Sequence, residues 1–256
     1  MDSALFHDPV VMAVAALAAA IMGVAKGGLT GLGMLAVPVM ALVMSPVQAA
    51  GIMLPILIAS DAVGLWTWWK SWDWLTFRLM IPGAVAGTAL GWATAHLVTD
   101  DAVRLIVGVI AVAFVARWLW QRFTRGHRIA SQHRGRAAFW GTVAGYTSFV
   151  SHAGGPPYQV YTMPLGHDPR IYTGTNVLFF AVTNLMKVVP YYLLGQFGAT
   201  NLAASAALMP VAVVFTFVGA WIIRRMSTAV FYPITYALVA LVGIRLIADA
   251  LPALAG

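Results

Sequence analysis

Cysteine is absent from this 256-residue chain, and charged side chains are scarce. The missing cysteine excludes disulfides, thiolate metal sites and cysteine nucleophiles. Charged residues make up 9% of the sequence, against about 25% in soluble domains. No metal-ligand spacing is present, and the stretch GGLTGLG fits neither of the common nucleotide-binding motifs. We therefore expect no metal site and no bound cofactor.

Apolar residues dominate instead, at 61% of the chain, with a mean hydropathy of +0.84. A water-soluble protein of this length could not bury so much apolar surface, so we predict an all-α polytopic membrane protein. The net charge of +7 does not indicate a nucleic-acid partner, because the arginines cluster at the ends of apolar segments. The segments long enough to cross a bilayer once are 46–68, 75–97, 102–121, 170–194, 200–223 and 228–251.

Two further apolar segments, 9–44 and 137–165, are interrupted by glycine and are too long for one span but short for two. Basic residues indicate which side of the membrane each connection faces. The arginine-rich linker 122–136 is placed in the cytoplasm, and the turn at 97–101, which has no basic residue, is placed outside. Counting crossings, each glycine-interrupted segment enters and leaves on one side. We predict that both are hairpins, either re-entrant loops or pairs of short helices, and that both chain termini are periplasmic.

The two halves of the sequence resemble each other. SPVQAAGIMLPILIASDAVG at 45–64 matches DPRIYTGTNVLFFAVTNLMK at 168–187 without a gap. Serine or aspartate followed by proline is typical of a helix start. We predict a first repeat over 1–121 and a second over 137–256, in opposite orientations, each a glycine-broken helical hairpin plus three transmembrane helices. Inverted repeats with helices broken at the bilayer midplane are a transporter architecture.

The broken hairpins hold the residues from which we predict an anion site. Non-helical backbone at membrane depth is tolerated where it lines a wet cavity, and glycine lets backbone N–H groups approach a ligand. Helix N-termini attract anions, and buried lysines add positive charge. The predicted substrate-binding residues are Lys26, Gly27, Gly28, Thr30, Gly31, Ser151, His152, Gly154, Gly155, Gln159, Asn176 and Lys187.

Asp61 and Asn184 occupy equivalent positions in the two repeats, and we assign them to ion coupling or a proton relay. Structural interpretations stand beside these roles. Lys187 would pair with Asp61 if the repeat axis runs between their helices, and Lys26 would snorkel toward the interface if it lies closer to the membrane surface than to the midplane. A small-residue stripe that only packs helices is the alternative for Gly23, Gly27 and Gly31.

From the residues alone we predict a secondary transporter of a small anion, working by alternating access around a midplane site. The sequence leaves open whether a coupling ion would be a proton or sodium, and it leaves the oligomeric state open. Two alternatives are an uncoupled anion channel and an intramembrane enzyme that uses Asp61, His152 or Lys187 as acid–base groups. We expect the protein not to be an enzyme.

The duplicated hairpin sequences KGGLTGLGMLAVP and SHAGGPPYQVYTMP, each followed by a helix start SP or DP, resemble those of the TauE/SafE sulfite-exporter family. The resemblance implies a carrier of the bacterial inner membrane that moves small sulfur-containing anions out of the cytoplasm. Sulfite and organosulfonates such as sulfoacetate are the implied substrates, with ion or proton coupling rather than ATP. The second hairpin departs from the expected pattern, because two prolines replace further glycines or small residues.

Overall fold

The computed structural model describes residues 8–94, 97, 99–124 and 129–255, and within them every regular element is helical. A 3₁₀ turn, Thr30–Leu32, precedes α2, and another, Met163–Leu165, follows α7. The all-α class is confirmed. The helices are α1 Pro9–Gly27, α2 Gly33–Met40, α3 Pro46–Thr67, α4 Trp74–Thr94, α5 Asp100–Thr124, α6 Arg134–Ser151, α7 Gly155–Thr162, α8 Pro169–Leu193, α9 Ala199–Arg225 and α10 Thr228–Ala255.

Among the described residues, six helical stretches are long and apolar enough to cross a membrane. Together they make this a multi-pass membrane protein. α4, with 21 residues, is not among these six, although the sequence predicts a span there. The stretches are Pro9–Gly27, Gln48–Thr67, Asp101–Gln121, Pro169–Leu193, Ala199–Arg225 and Thr228–Pro252.

The dipeptides predicted to start helices do so. The Ser45 hydroxyl accepts a hydrogen bond from the Gln48 amide at 3.2 Å, and α3 follows with proline in its first turn. The Asp168 carboxylate accepts from the Arg170 amide at 2.9 Å at the start of α8. Each side chain satisfies one of the amides that a helix N-terminus leaves unpaired, and proline costs nothing there.

Both glycine-interrupted segments contain a long helix followed by a short one. α1 has 19 residues and α2 has eight, and α6 has 18 residues and α7 has eight. Eight residues rise only about 12 Å, well short of a bilayer core of about 30 Å. Each short helix packs against the long helix before it. The two arms of each hairpin are therefore unequal, and the short arm ends inside the protein.

Helices of one half pack mainly against helices of the other. α1 lies against α9, α4 against α6, α5 against α10, and α3 against both α8 and α9. The first two contacts join corresponding elements in the two predicted repeats, because α1 and α6 begin the hairpins while α4 and α9 are the second spans. The inverted relationship of the halves stays a prediction.

Glycines set the closest of these helix contacts. A Cβ on Gly23 or Gly27 of α1 would collide with the backbone of α9, and one on Gly83 or Gly87 of α4 would collide with the backbone of α6. Small residues let two helix backbones approach closely in a membrane, where van der Waals packing drives association. The close contact of Gly23 and Gly27 with α9 fits the packing interpretation, whereas the surroundings of Gly31 lie outside what the structure describes.

The apolar core separates into clusters with a polar stretch between them. On α8, Phe179 belongs to an aromatic-rich cluster, whereas Tyr191 belongs to a cluster of mainly aliphatic side chains. Lys187 lies between these two positions in the helix. On α3, Leu57 belongs to the mainly aliphatic cluster and Trp68 to the aromatic-rich cluster, and Asp61 lies between them. The buried charges therefore share one level of the molecule.

Candidate functional site

The two hairpin breaks use left-handed backbone. Gly28, directly after α1, has φ of +144°, a conformation that L side chains rarely adopt. His152, directly after α6, has φ of +52°, which is uncommon for a residue other than glycine. At these two residues the chain leaves the long helix and enters the segment leading to the short helix. Lys26 precedes the first break and His152 forms the second, as their matched positions in the sequence predict.

A cavity of about 60 Å³ lies where the two breaks converge. On this measure a single water needs about 10–15 Å³, so the space suits a few waters or one small anion. Residues from α1, α2, α3, α6, α7 and α8 contribute to its wall. They are Met22, Ala25, Lys26, Thr30, Gly33, Leu57, Ser148, His152, Gly155, Asn176, Phe180, Asn184 and Lys187.

The short helices α2 and α7 both begin at this cavity, because Gly33 and Gly155 are their first residues and both line it. Neither start carries a side-chain cap. The N-terminal end of a helix bears a partial positive charge of about half a unit. The two ends thus add a positive potential to the wall of the cavity.

A chain of polar contacts joins the buried charges. The Lys26 ammonium lies 2.6 Å from Asp61 Oδ1, and the Asn184 amide donates to Asp61 Oδ2 at 2.7 Å. The Lys187 ammonium donates to Asn184 Oδ1 at 3.2 Å. Asp61 and Asn184, equivalent in the two predicted repeats, are therefore in direct contact.

These contacts correct two structural alternatives for the lysines. The partner of Asp61 is Lys26, not Lys187, because α1 brings the Lys26 ammonium to one carboxylate oxygen while Asn184 occupies the other. Lys26 does not snorkel: its side chain is 11% exposed and is held by the carboxylate. Its ammonium also lies 5.6 Å from the centre of the Phe180 ring, a cation–π distance.

Asn176 presents an unpaired donor to the cavity. The residue is 4% exposed, and its Nδ2 has no hydrogen-bond partner. A buried amide without a partner costs free energy that a bound acceptor would return. Elsewhere in the cavity wall, Thr30 accepts a hydrogen bond from Gln159 at 2.8 Å, and the His152 ring nitrogen lies 3.0 Å from the Tyr191 hydroxyl.

Seven of the predicted site residues line the cavity, and the others lie around it. Gln159 and Asp61 support cavity residues from behind, and the Ser151 hydroxyl donates to the Thr147 carbonyl at 3.3 Å. Gly154 packs against α6 and the Phe180 ring. Gly27 and Gly28 pack against α9 and α8, and Gly31 is described only through its backbone in the 3₁₀ turn. The seven that line the cavity are Lys26, Thr30, His152, Gly155, Asn176, Asn184 and Lys187.

Sequence reasoning missed the apolar part of the wall and the partner of His152. Leu57 and Phe180 line the cavity one helical turn before Asp61 and Asn184. The gap-free repeat match pairs Leu57 with Phe180, and each lies on the same helix face as Asp61 or Asn184, one turn earlier. The sequence therefore contained a signal from which these two residues could have been predicted. Tyr191 carried none, because only the folding of α6 against α8 brings it to His152.

Within the described residues, no group of three His, Asp or Glu side chains could hold a metal ion. The wall offers ammonium, amide and hydroxyl donors rather than a set of anionic ligands, so its chemistry suits an anion.

Comparisons with known proteins identify the chain. Searches of curated proteins and of solved structures give no match. A family model described as "Sulfite exporter TauE/SafE" matches residues 15–246, a range that includes both helix breaks and every cavity residue. The chain therefore belongs to the TauE/SafE sulfite exporter family, a family of membrane transporters and not of enzymes.

Proposed function

We propose that this protein exports small sulfur-containing anions, such as sulfite or an organosulfonate, across the bacterial inner membrane. The observation that carries the proposal is a small cavity at two helix breaks, walled by Lys26, Lys187 and the starts of α2 and α7. An anion there would exchange its water for the Lys187 ammonium, an unpaired amide and two helix N-termini.

The proposed mechanism is alternating access. α1 and α2 belong to one half and α6 and α7 to the other, and both pairs contribute to the cavity wall. If one half rocks against the other, the cavity opens first to one side and then to the other, as in transporters with inverted repeats. The basic linker 122–136 would face the cytoplasm and both chain termini the periplasm.

The proposed coupling runs through Asp61 and Asn184. Asp61 bonds both Lys26 and Asn184, so protonation of its carboxylate, or binding of sodium beside it, would release Lys26. A freed Lys26 would then compete for the anion in the cavity. The contact between Asp61 and Lys26 thus offers a route by which a proton or a sodium ion at Asp61 would couple to anion binding.

Transport by reconstituted protein tests the proposal. Lys187→Met should lower labelled sulfite flux into proteoliposomes by at least about tenfold, because a charge-assisted hydrogen bond contributes about 1.5–3 kcal/mol. Lys70→Met is the matched control, since Lys70 is exposed in the turn between α3 and α4. Equal loss in both variants, or no loss in Lys187→Met, would contradict the proposed site. Flux that never concentrates sulfite under an imposed ion gradient would favour the uncoupled channel.

A further inference from the structure

We infer that the cavity is built for an anion carrying a single negative charge and discriminates against dianions. This inference rests on the proposed function and narrows its substrate class. It follows from the charge inventory of the protein interior, from the contacts that use up part of that charge, and from the chemistry of the cavity wall.

The interior holds very few charges. The chain has eight acidic residues, all of them aspartate, and three lysines. Within the described ranges, Asp61 is the acidic residue that lies inside a spanning helix and away from its ends. The other described aspartates lie at helix caps, in turns, at the start of α5 or near the end of α10. Lys26 and Lys187 line the cavity, whereas Lys70 lies in an exposed turn. Two ammonium groups thus face one carboxylate.

Asp61 cancels the charge of Lys26. The two groups are 2.6 Å apart, and the second carboxylate oxygen is used by Asn184, so both carboxylate oxygens are paired and the ion pair is neutral as a whole. Removing one partner of a buried ion pair leaves a costly uncompensated charge. Lys26 therefore adds little net electrostatic attraction for a bound anion while the ion pair is intact.

Among the described lysines, Lys187 is the buried one that has no carboxylate partner, and a bound anion would hold its ammonium in the protonated form. Its side chain is fully buried, and its recorded hydrogen bond goes to a neutral acceptor, Asn184 Oδ1. Across the described part of the chain, no carboxylate lies within ion-pair distance of its ammonium. An ammonium has three protons to donate, so further donors remain for a ligand. One bound negative charge would neutralise it, and a second would find no fixed partner.

The rest of the wall favours the same ligand. Asn176 offers an unpaired amide, and the helix starts contribute only partial charges. Met22, Ala25, Leu57 and Phe180 form apolar surface within the cavity. A second anionic oxygen placed against such surface would lose its water without gaining a partner, whereas a methyl or methylene group fits there. Small sulfonates and the singly protonated form of sulfite have the required chemistry.

Methanesulfonate and sulfate form a matched pair of probes, because both present sulfonyl oxygens and differ in having a methyl group or a second anionic oxygen. Isothermal titration of the full-length protein at about pH 8, where unperturbed histidine is neutral, measures both affinities. Wild-type protein should bind methanesulfonate at least about tenfold more tightly than sulfate, the ratio expected from one unpaired charge. Equal affinities, or tighter binding of sulfate, would overturn the inference.

Three variants change the net charge in steps. Asp61→Asn adds one positive charge and should move the affinity ratio toward sulfate by about tenfold or more. Lys26→Met leaves the cavity neutral overall and should weaken both anions. The double variant Lys26→Met/Asp61→Asn restores one net positive charge and should recover the methanesulfonate preference. If Lys26 instead contacts the anion itself, the double variant will not recover, and the charge account fails.

The double variant also keeps the test decisive if Asp61→Asn does not fold, because it removes the ion pair as a unit. A folded double variant with an altered ratio would count against the inference.

The outcomes separate this inference from the proposed function. Wild-type protein that moves labelled sulfite but binds sulfate and methanesulfonate equally would refute only the charge selection. Protein that binds neither anion and moves no sulfite would refute the proposed function itself.

Discussion

Asp61 is the residue on which the arrangement of both buried lysines depends. It holds Lys26 directly and Lys187 through Asn184, so three charged side chains form one connected unit. Removing any member changes the surroundings of the other two, and their mutational effects should not be additive. A variant of one residue is therefore best compared with the corresponding double variant.

Asn176 allows ligand binding to be separated from stability at a single position. Asn176→Leu removes an unpaired buried amide, so the thermal midpoint should stay level or rise. Methanesulfonate affinity should fall by about threefold to tenfold, because a hydrogen bond contributes about 0.5–1.5 kcal/mol. Titration calorimetry and thermal unfolding of the same sample provide the two readouts.

Thr183→Val is the control for this substitution. Thr183 is also buried on α8, but its hydroxyl donates to the Phe179 carbonyl in its own helix and does not line the cavity. The control should leave the affinity unchanged. Asn176→Leu with full affinity would mean that the amide does not contact the anion.

Among the elements, the contact of α4 with α6 depends most plainly on missing side chains. Gly87→Ala would place a methyl group against the Thr142 carbonyl and the Tyr146 amide, which are backbone atoms that cannot rotate away. Overpacking of this kind costs about 1–3 kcal/mol. The thermal midpoint should fall by several degrees, since about 1 kcal/mol corresponds to roughly 2–4 °C in a chain of this size.

Gly198→Ala serves as the comparison, because a Cβ there meets nothing within 4 Å. Its backbone φ of −63° suits alanine. The free energy of unfolding of this variant should lie within about 0.5 kcal/mol of the wild-type value, so its thermal midpoint should hardly change. Equal destabilisation by both substitutions would contradict the close-packing account of α4.

Asp73 lies in the connection between α3 and α4 and contacts residues of two other connections. Its carboxylate accepts from the amides of Leu75 and Thr76 at the start of α4 and from Gln132 before α6. His167, before α8, lies 3.3 Å away. Burial alone would raise the pKa of Asp73, but the hydrogen bonds from Thr76, Leu75 and Gln132 outweigh it and lower the pKa. Burial lowers the pKa of His167, and the nearby Asp73 only partly offsets this.

Both shifts make stability fall with decreasing pH, because the unfolded chain binds protons more readily at these two groups. The contribution of His167 is complete above about pH 6.5 and declines below it. That of Asp73 is complete above about pH 4 and is lost as pH falls through its lowered pKa. Thermal unfolding from pH 8 to about pH 2 should show this decline, and below about pH 4 the decline should be less steep in Asp73→Asn than in the control Asp249→Asn. Parallel curves for the two variants would contradict the network.

For the whole molecule, the lack of cysteine makes topology directly measurable. Single cysteines at positions 3 and 256 should react with an impermeant maleimide in intact spheroplasts, because we predict both termini outside. Ile129→Cys, in the basic linker, should react only after permeabilisation. A protected residue at either terminus would overturn the crossing count on which the inverted repeats depend.

Some of this molecule could be predicted from its sequence, and the reasons for the rest are physical. Ser45 and Asp168 mark the starts of α3 and α8 because capping is local chemistry. The pairing of Asp61 with Lys26 was not predictable, because it depends on how α1 docks beside α3, and the sequence equally allowed Lys187. Gly27 and Gly33 have the same chemistry in the sequence, yet one packs against α9 and the other lines the cavity.

The claim at the centre of this account is that one small anion binds where the two helix breaks meet. A selenium analogue provides the most direct measurement, because selenite replaces sulfite and scatters anomalously. Diffraction from crystals grown with selenite should show one anomalous peak in the cavity, placed so that selenite oxygens lie within hydrogen-bond distance of Lys187 Nζ and Asn176 Nδ2, and the peak should be absent in Lys187→Met. A selenium peak outside this cavity, with the cavity itself empty, would contradict the account.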